Sequence, residues 1–180
     1  MSTESSEGLQ APPHVASEFY LWLWYTSDNG QGSFEPEEGA PFQWWVDDRI
    51  AFRHAGDSKV TAVLTGENPS TTLEARAALV GGKALRDLRL ALRREEREYS
   101  VTLRGDAVEV CQAKLPGVLK GGDEAELLYE RMFLYEELHW MIGSLFRRFA
   151  EERTDPAGQA ARDRRLAAWA SLANRPADEA

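Results

Sequence analysis

Histidine and cysteine carry most side-chain chemistry near neutral pH, and this chain holds few of them. Its 180 residues include three histidines, His14, His54 and His139, and one cysteine, Cys111. A lone thiol makes no internal disulfide and no cysteine-based metal site; Cys111 reads as a strand residue that packs. In the run Glu136-Glu137-Leu138-His139, Glu136 and His139 stand at the i, i+3 spacing of carboxylate-bridged di-metal bundles. Such a site needs a second pair and two further glutamates from facing helices. This chain has one pair, so a metal would require symmetry with a second chain, and a solvated helix face explains both residues. Asp47-Asp48 can bind a cation, but a turn accounts for them equally. Gly81-Gly82-Lys83 lacks the phosphate-loop pattern and reads as a helix stop. No Ser-His-Asp or Cys-His arrangement has supporting context. The expectation is a protein that is not an enzyme and has no cofactor and no metal.

Charge points elsewhere. The formal net charge is −9, which argues for solubility and against indiscriminate nucleic-acid or membrane binding. The average conceals a pattern. Residues 1–40 hold seven acids and no Lys or Arg, whereas residues 41–120 hold 13 Lys/Arg against 11 acids. The basic share therefore sits in the middle of the chain. The N-terminus lacks the plan of a signal peptide. The longest apolar run, residues 19–25, is too short to cross a bilayer. These features predict a cytoplasmic protein with no membrane partner.

The elements that position these residues follow from periodicity. Residues 1–14 read as a disordered tail. In SEFYLWLWYTSD, Ser17 suits a helix cap, and the apolar run after it reads as a buried helix. Residues 29–41 form a mobile loop. From Phe42 the period becomes two: Phe42, Trp44 and Val46 point inward, Asp47-Asp48 turns, and Ile50, Phe52 and His54 alternate with Arg49, Ala51 and Arg53 as the second arm of a hairpin. A third strand covers residues 59–65 and a short helix residues 70–80. Two more strands place Leu88, Leu90, Leu92 and Tyr99, Val101, Leu103 inward. A sixth covers residues 107–113. Residues 123–153 form one long helix with acids at its start and Arg147, Arg148 and Arg153 at its end. Its apolar stripe is read as Leu127, Leu128, Leu134, Tyr135, Leu138, Met141, Ile142, Leu145 and Phe149. Residues 154–180 form a last helix and tail beyond a single domain at 15–153. The class is α+β: an antiparallel meander of about six strands, with one long helix and two or three shorter ones on its apolar face.

This alternation sends Arg49, Arg53, Lys59, Arg89, Arg93 and Arg104 to the face opposite the core, with Thr61 and Thr102 among them and Trp45 nearby. A basic face with hydroxyls and an aromatic can track a phosphate backbone and stack a base. A solvated face balanced by Glu95, Glu96, Glu98 and Glu109 explains the same residues.

Glu18-Phe19-Tyr20-Leu21-Trp22-Leu23-Trp24-Tyr25 resembles the Glu-Phe-Leu-x-Trp-Leu-Trp signature of bacterial recombination-associated proteins of the RdgC family. Trp45-Val46-Asp47-Asp48-Arg49-Ile50 is similar to a segment C-terminal to that signature in the family. So are Glu74-Ala75, the run Gly82-Lys83-Ala84-Leu85-Arg86-Asp87-Leu88-Arg89-Leu90, Lys114-Leu115-Pro116 and Glu136-Glu137-Leu138. The resemblance spans about residues 15–150 and is mainly to the C-terminal half of longer members. It implies a nucleoid-associated, sequence-independent DNA-binding protein that forms dimers and modulates recombination by restraining a recombinase, without catalysis. The first expectation is therefore a non-enzymatic RdgC-like DNA binder acting through the arginines above. The alternative is a protein-interaction or homodimerisation module that uses the long helix and does not bind DNA.

Overall fold

A computed structural model describes residues 14–36, 39–54, 59–117 and 123–171. It contains helix α1 (His14–Asp28), strands β1 (Ser33–Phe34), β2 (Phe42–His54) and β3 (Val60–Thr65), a 3-10 turn at Pro69–Thr71, helix α2 (Leu73–Val80), strands β4 (Lys83–Arg94), β5 (Arg97–Arg104) and β6 (Glu109–Lys114), and helices α3 (Glu124–Thr154) and α4 (Pro156–Ser171). The class is α+β, with an antiparallel six-stranded sheet and one long helix, as the alternation predicts. β2 is the hub. β1 pairs with its start and β3 with its end, β4 lines its other side, and β5 and β6 follow outward. The 3-10 turn and α2 carry the chain from β3 past β2 to β4.

The core lies between the sheet and the helices. Phe42, Trp44, Val46, Ile50, Phe52, Leu88, Leu90, Leu92, Tyr99, Val101 and Leu103 are buried on one sheet face. Against them lies α1, whose Phe19, Tyr20, Trp22, Leu23 and Trp24 are also buried. That explains why α1 is apolar on nearly every side: it is sandwiched between the sheet and α3. Trp22, Trp24 and Trp44 each keep a partner for the indole N–H, as burial requires. Trp22 donates to Glu152 at 2.8 Å, Trp24 to Asp28 at 3.1 Å and Trp44 to the carbonyl of Leu23 at 3.4 Å. α4 joins the same core, with Trp169 standing edge-on to Trp24 at 4.9 Å.

α3 begins with a capping box. Asp123 accepts from the Glu126 amide at 2.9 Å, and the Glu126 carboxylate accepts from the Asp123 amide at 3.3 Å, which satisfies two orphan donors of the first turn. Leu134, Leu138, Met141 and Leu145 recur on its inward face.

Several expectations need correction. Asp47-Asp48 is not a turn: β2 runs unbroken through it as a bulge, because Val46 pairs with Leu90 and Ile50 with Leu88, leaving residues 47–49 opposite Arg89. A bulge keeps the strand going while admitting extra residues. The loop expected at 29–41 holds β1. Ser17 lies inside α1 rather than at its cap. Ala107 and Val108 belong to the turn before β6. The tail expected at 1–14 lies almost wholly outside the described residues.

Candidate functional site

Two surfaces stand apart from the core. The first is the outer face of the sheet, where the predicted cations lie. Arg89 reaches into the β2 bulge, donates to the Ser100 hydroxyl at 3.0 Å and stands 3.4 Å from Asp47 and 3.5 Å from Asp48. Ser100 in turn donates to Asp47 at 3.0 Å. Arg49 is half-buried within the same bulge. Arg53 is not an exposed cation. Only 8% of it is accessible, and its guanidinium forms a bidentate pair with Asp106, one bond being 3.0 Å. Arg104 lies 3.7 Å from the buried carboxylate of Asp87. Arg93 is exposed. It donates to Gln43 at 2.8 Å, faces Glu98 across the β4–β5 register, and sits 5.7 Å from the centre of the Trp45 ring. Lys59 is exposed just before β3. Thr102 is buried, its hydroxyl 3.3 Å from Gln112, and the Thr61 side chain lies outside the described residues. The sheet thus gathers Arg49 and Arg89 at the bulge and sets Arg93 beside Trp45, while Arg53 and Arg104 answer carboxylates elsewhere. Opposite charges alternate over this face, so its local field is weaker than the arginine count suggests.

The second surface is the outward side of α3. Leu128 (58%), Tyr129 (71%), Met132 (50%) and Phe133 (54%) are accessible, and Tyr135, Trp140 and Phe146 are exposed on the same helix. Leu128 and Tyr135, expected to point into the core, point away from it. The error is one of angle: at 3.6 residues per turn both lie about 100–120° round the helix from Leu134. Arg97 caps the Phe133 ring at 5.6 Å and Arg94 the Trp140 ring at 4.8 Å, while Tyr135 and His139 rings lie 4.6 Å apart. Exposed apolar side chains gathered on one helix make this face a candidate binding surface.

Between sheet and helix lies a group that sequence reading missed. Glu137, inward on α3, accepts from Arg94 at 2.7 Å and lies 3.0 Å from Arg97; Tyr99 donates to its other oxygen. Burial, reinforced by the Glu137 carboxylate, pushes the Tyr99 hydroxyl well above its usual range. Tyr20 is pushed up in the same direction, first by burial and then by Asp87 and Asp106, while its hydroxyl donates to the Gly105 carbonyl at 2.8 Å. The signal for Glu137 was available: it falls on the inward side of the helix, where an acid requires a partner.

Glu136 and His139 are both exposed, and among the described residues no group of three His, Cys, Asp or Glu side chains is placed to hold a metal. A cleft of about 850 Å³ opens between residues 33–36 and α3, lined by Trp140, Ser144, Arg147 and Arg148 with Glu35 and Glu151. Among the described residues no helix is long and apolar enough to cross a membrane. Comparison with protein-family models, with curated proteins and with solved structures gave no match to this chain.

Proposed function

We propose that this chain is a non-enzymatic interaction module whose binding surface is the outward face of α3. The observation that carries the reading is the run Leu128, Tyr129, Met132 and Phe133, exposed over two consecutive turns of α3 just ahead of Leu134, where the packed side of the helix begins. Leaving such side chains in water forfeits about 1.5–3 kcal/mol for each that a partner would cover. The sheet's outer face is weaker as a site, because its arginines are largely answered by aspartates. The test is gel filtration of lysate with detection of the tagged chain. The wild type elutes above monomer size, and Met132→Glu with Phe133→Glu returns it to monomer size. Identical elution of both at monomer size removes the reading.

A second reading is RdgC-like, sequence-independent DNA binding that modulates recombination alongside a recombinase. The resemblance carried by residues 18–25 and 82–90 supports it, and the specific observation in its favour is Arg93 beside Trp45 on the outer sheet face, a cation and a stacking platform together. Fluorescence anisotropy with random single- and double-stranded DNA tests it. Binding at about 50 mM salt that falls steeply toward 200 mM, and that weakens with Arg93→Glu or Trp45→Ala, supports it. Absence of binding at the lower salt removes it.

A further inference from the structure

We propose that the outward row of α3 pairs with the same row of a second copy of this chain, the two helices running parallel. The inference rests on the reading of α3 as the binding surface and names its occupant. Ala125, Leu128, Met132, Tyr135 and His139 follow one another at spacings of three, four, three and four, and all five are exposed. That is the 3.5-residue repeat of a two-helix seam, in which alternate positions of one helix enter holes of the other. The 3.6-residue stripe that faces the sheet, Leu134, Leu138, Met141 and Leu145, is a separate row, turned about 120° round the helix from the first. α3 therefore carries two apolar faces, and one of them has no cover among the described residues.

Charge selects both the occupant and its direction. Arg131 and Glu136 are exposed and flank the row on opposite sides, five residues apart. In a parallel pair each position flanking one side meets the position five residues on in its partner, so Arg131 of each copy meets Glu136 of the other. In an antiparallel pair like flanks face each other, which sets arginine toward arginine. The helix is thus complementary to itself when parallel, a property that an unrelated partner would have no reason to leave there.

Purified full-length chain provides the test. Sedimentation equilibrium is expected to give a monomer–dimer equilibrium, with dimer populated by about 100 μM, a micromolar-range affinity. In a Cys111→Ser background, Met132→Cys is expected to form an inter-chain disulfide under mild oxidation, and Glu151→Cys, off the row, is not. Arg131→Glu is expected to weaken the dimer about 3–10-fold, and adding Glu136→Arg to restore it. Met132→Glu is expected to abolish it with an unchanged circular dichroism spectrum and melting temperature. A monomer throughout that range overturns the inference; if the lysate complex still depends on Met132 and Phe133, the wider reading of α3 stands. A dimer that survives Met132→Glu lies on another face and overturns it. A dimer broken by Met132→Glu, with no inter-chain disulfide in the Met132→Cys variant, overturns the parallel arrangement.

Discussion

Glu137 of α3 and Arg94 of β4 meet at 2.7 Å, and only 3% of the glutamate side chain is exposed. With Arg97 and Tyr99 on the same carboxylate, this contact fixes the rotation of α3 about its own axis. The rotation in turn decides which row of α3 faces solvent. Breaking a buried pair by removing one partner costs about 3–5 kcal/mol, because the other charge is left buried. Glu137→Ala is therefore expected to lower unfolding stability by about 3 kcal/mol. Arg97→Ala, at a more exposed partner, should cost about 1 kcal/mol or less. Urea denaturation measures both, and equal losses would contradict the assignment of Glu137 as the hub.

Tyr20 and Tyr99 set the alkaline limit of stability. Burial, the first cause in each, raises both hydroxyls above their ordinary range. The unfolded tyrosine loses its proton near pH 10 while the folded one keeps it, so above about pH 10 the unfolded state binds fewer protons and stability falls as pH rises. The contribution is whole below about pH 10 and lost above it. Denaturation midpoints should hold up to about pH 10 and drop progressively above it, and the drop should be shallower in Tyr99→Phe. Ultraviolet absorbance of the phenolate follows tyrosine ionisation directly; two tyrosines that titrate normally in the folded chain would contradict this.

Glu95 occupies the two-residue turn between β4 and β5 with φ of 56°. A side chain in that left-handed region costs about 1–2 kcal/mol, which glycine avoids. The exposed Glu95–Arg97 pair at 3.5 Å offsets little of this. Glu95→Gly is expected to raise stability by about 0.5–1 kcal/mol in urea denaturation, and a loss would show that the turn needs the carboxylate.

Arg53 and Arg93 look alike in sequence and differ in the fold. Arg53→Ala should destabilise by about 1–3 kcal/mol, since it opens the buried site that the arginine side chain fills, while the half-exposed Asp106 stays hydrated. Arg93→Ala should stay within about 0.5 kcal/mol. Thermal unfolding of the two variants separates structural arginine from surface arginine. Similar melting temperatures would contradict the burial of Arg53.

Much of this fold was legible because alternation of period two is unambiguous when both faces differ. Leu88, Leu90, Leu92 and Tyr99, Val101, Leu103 announced their strands, and the acids from residue 123 onward suited the start of α3. The bulge was not legible. Asp47-Asp48 has turn chemistry, and only pairing with β4 reveals that β2 passes through it. Arg53 escaped for a related reason: register shifts at the bulges change which neighbours cover a residue, and Asp106 comes from a turn far along the chain. The second row of α3 was present in the spacing of residues 125–139, but a helix with apolar residues on two sides merges into one wide stripe when positions are not measured by angle.

If a partner occupies the outward face of α3, Met132 is covered when that partner binds. Oxidative footprinting of Met132 measures this, with buried Met141 as the internal reference. Met132 is expected to react readily in dilute purified protein and to be protected in concentrated protein or in lysate, while Met141 stays unreactive throughout. Equal reactivity of Met132 under all three conditions would contradict occupancy of that face.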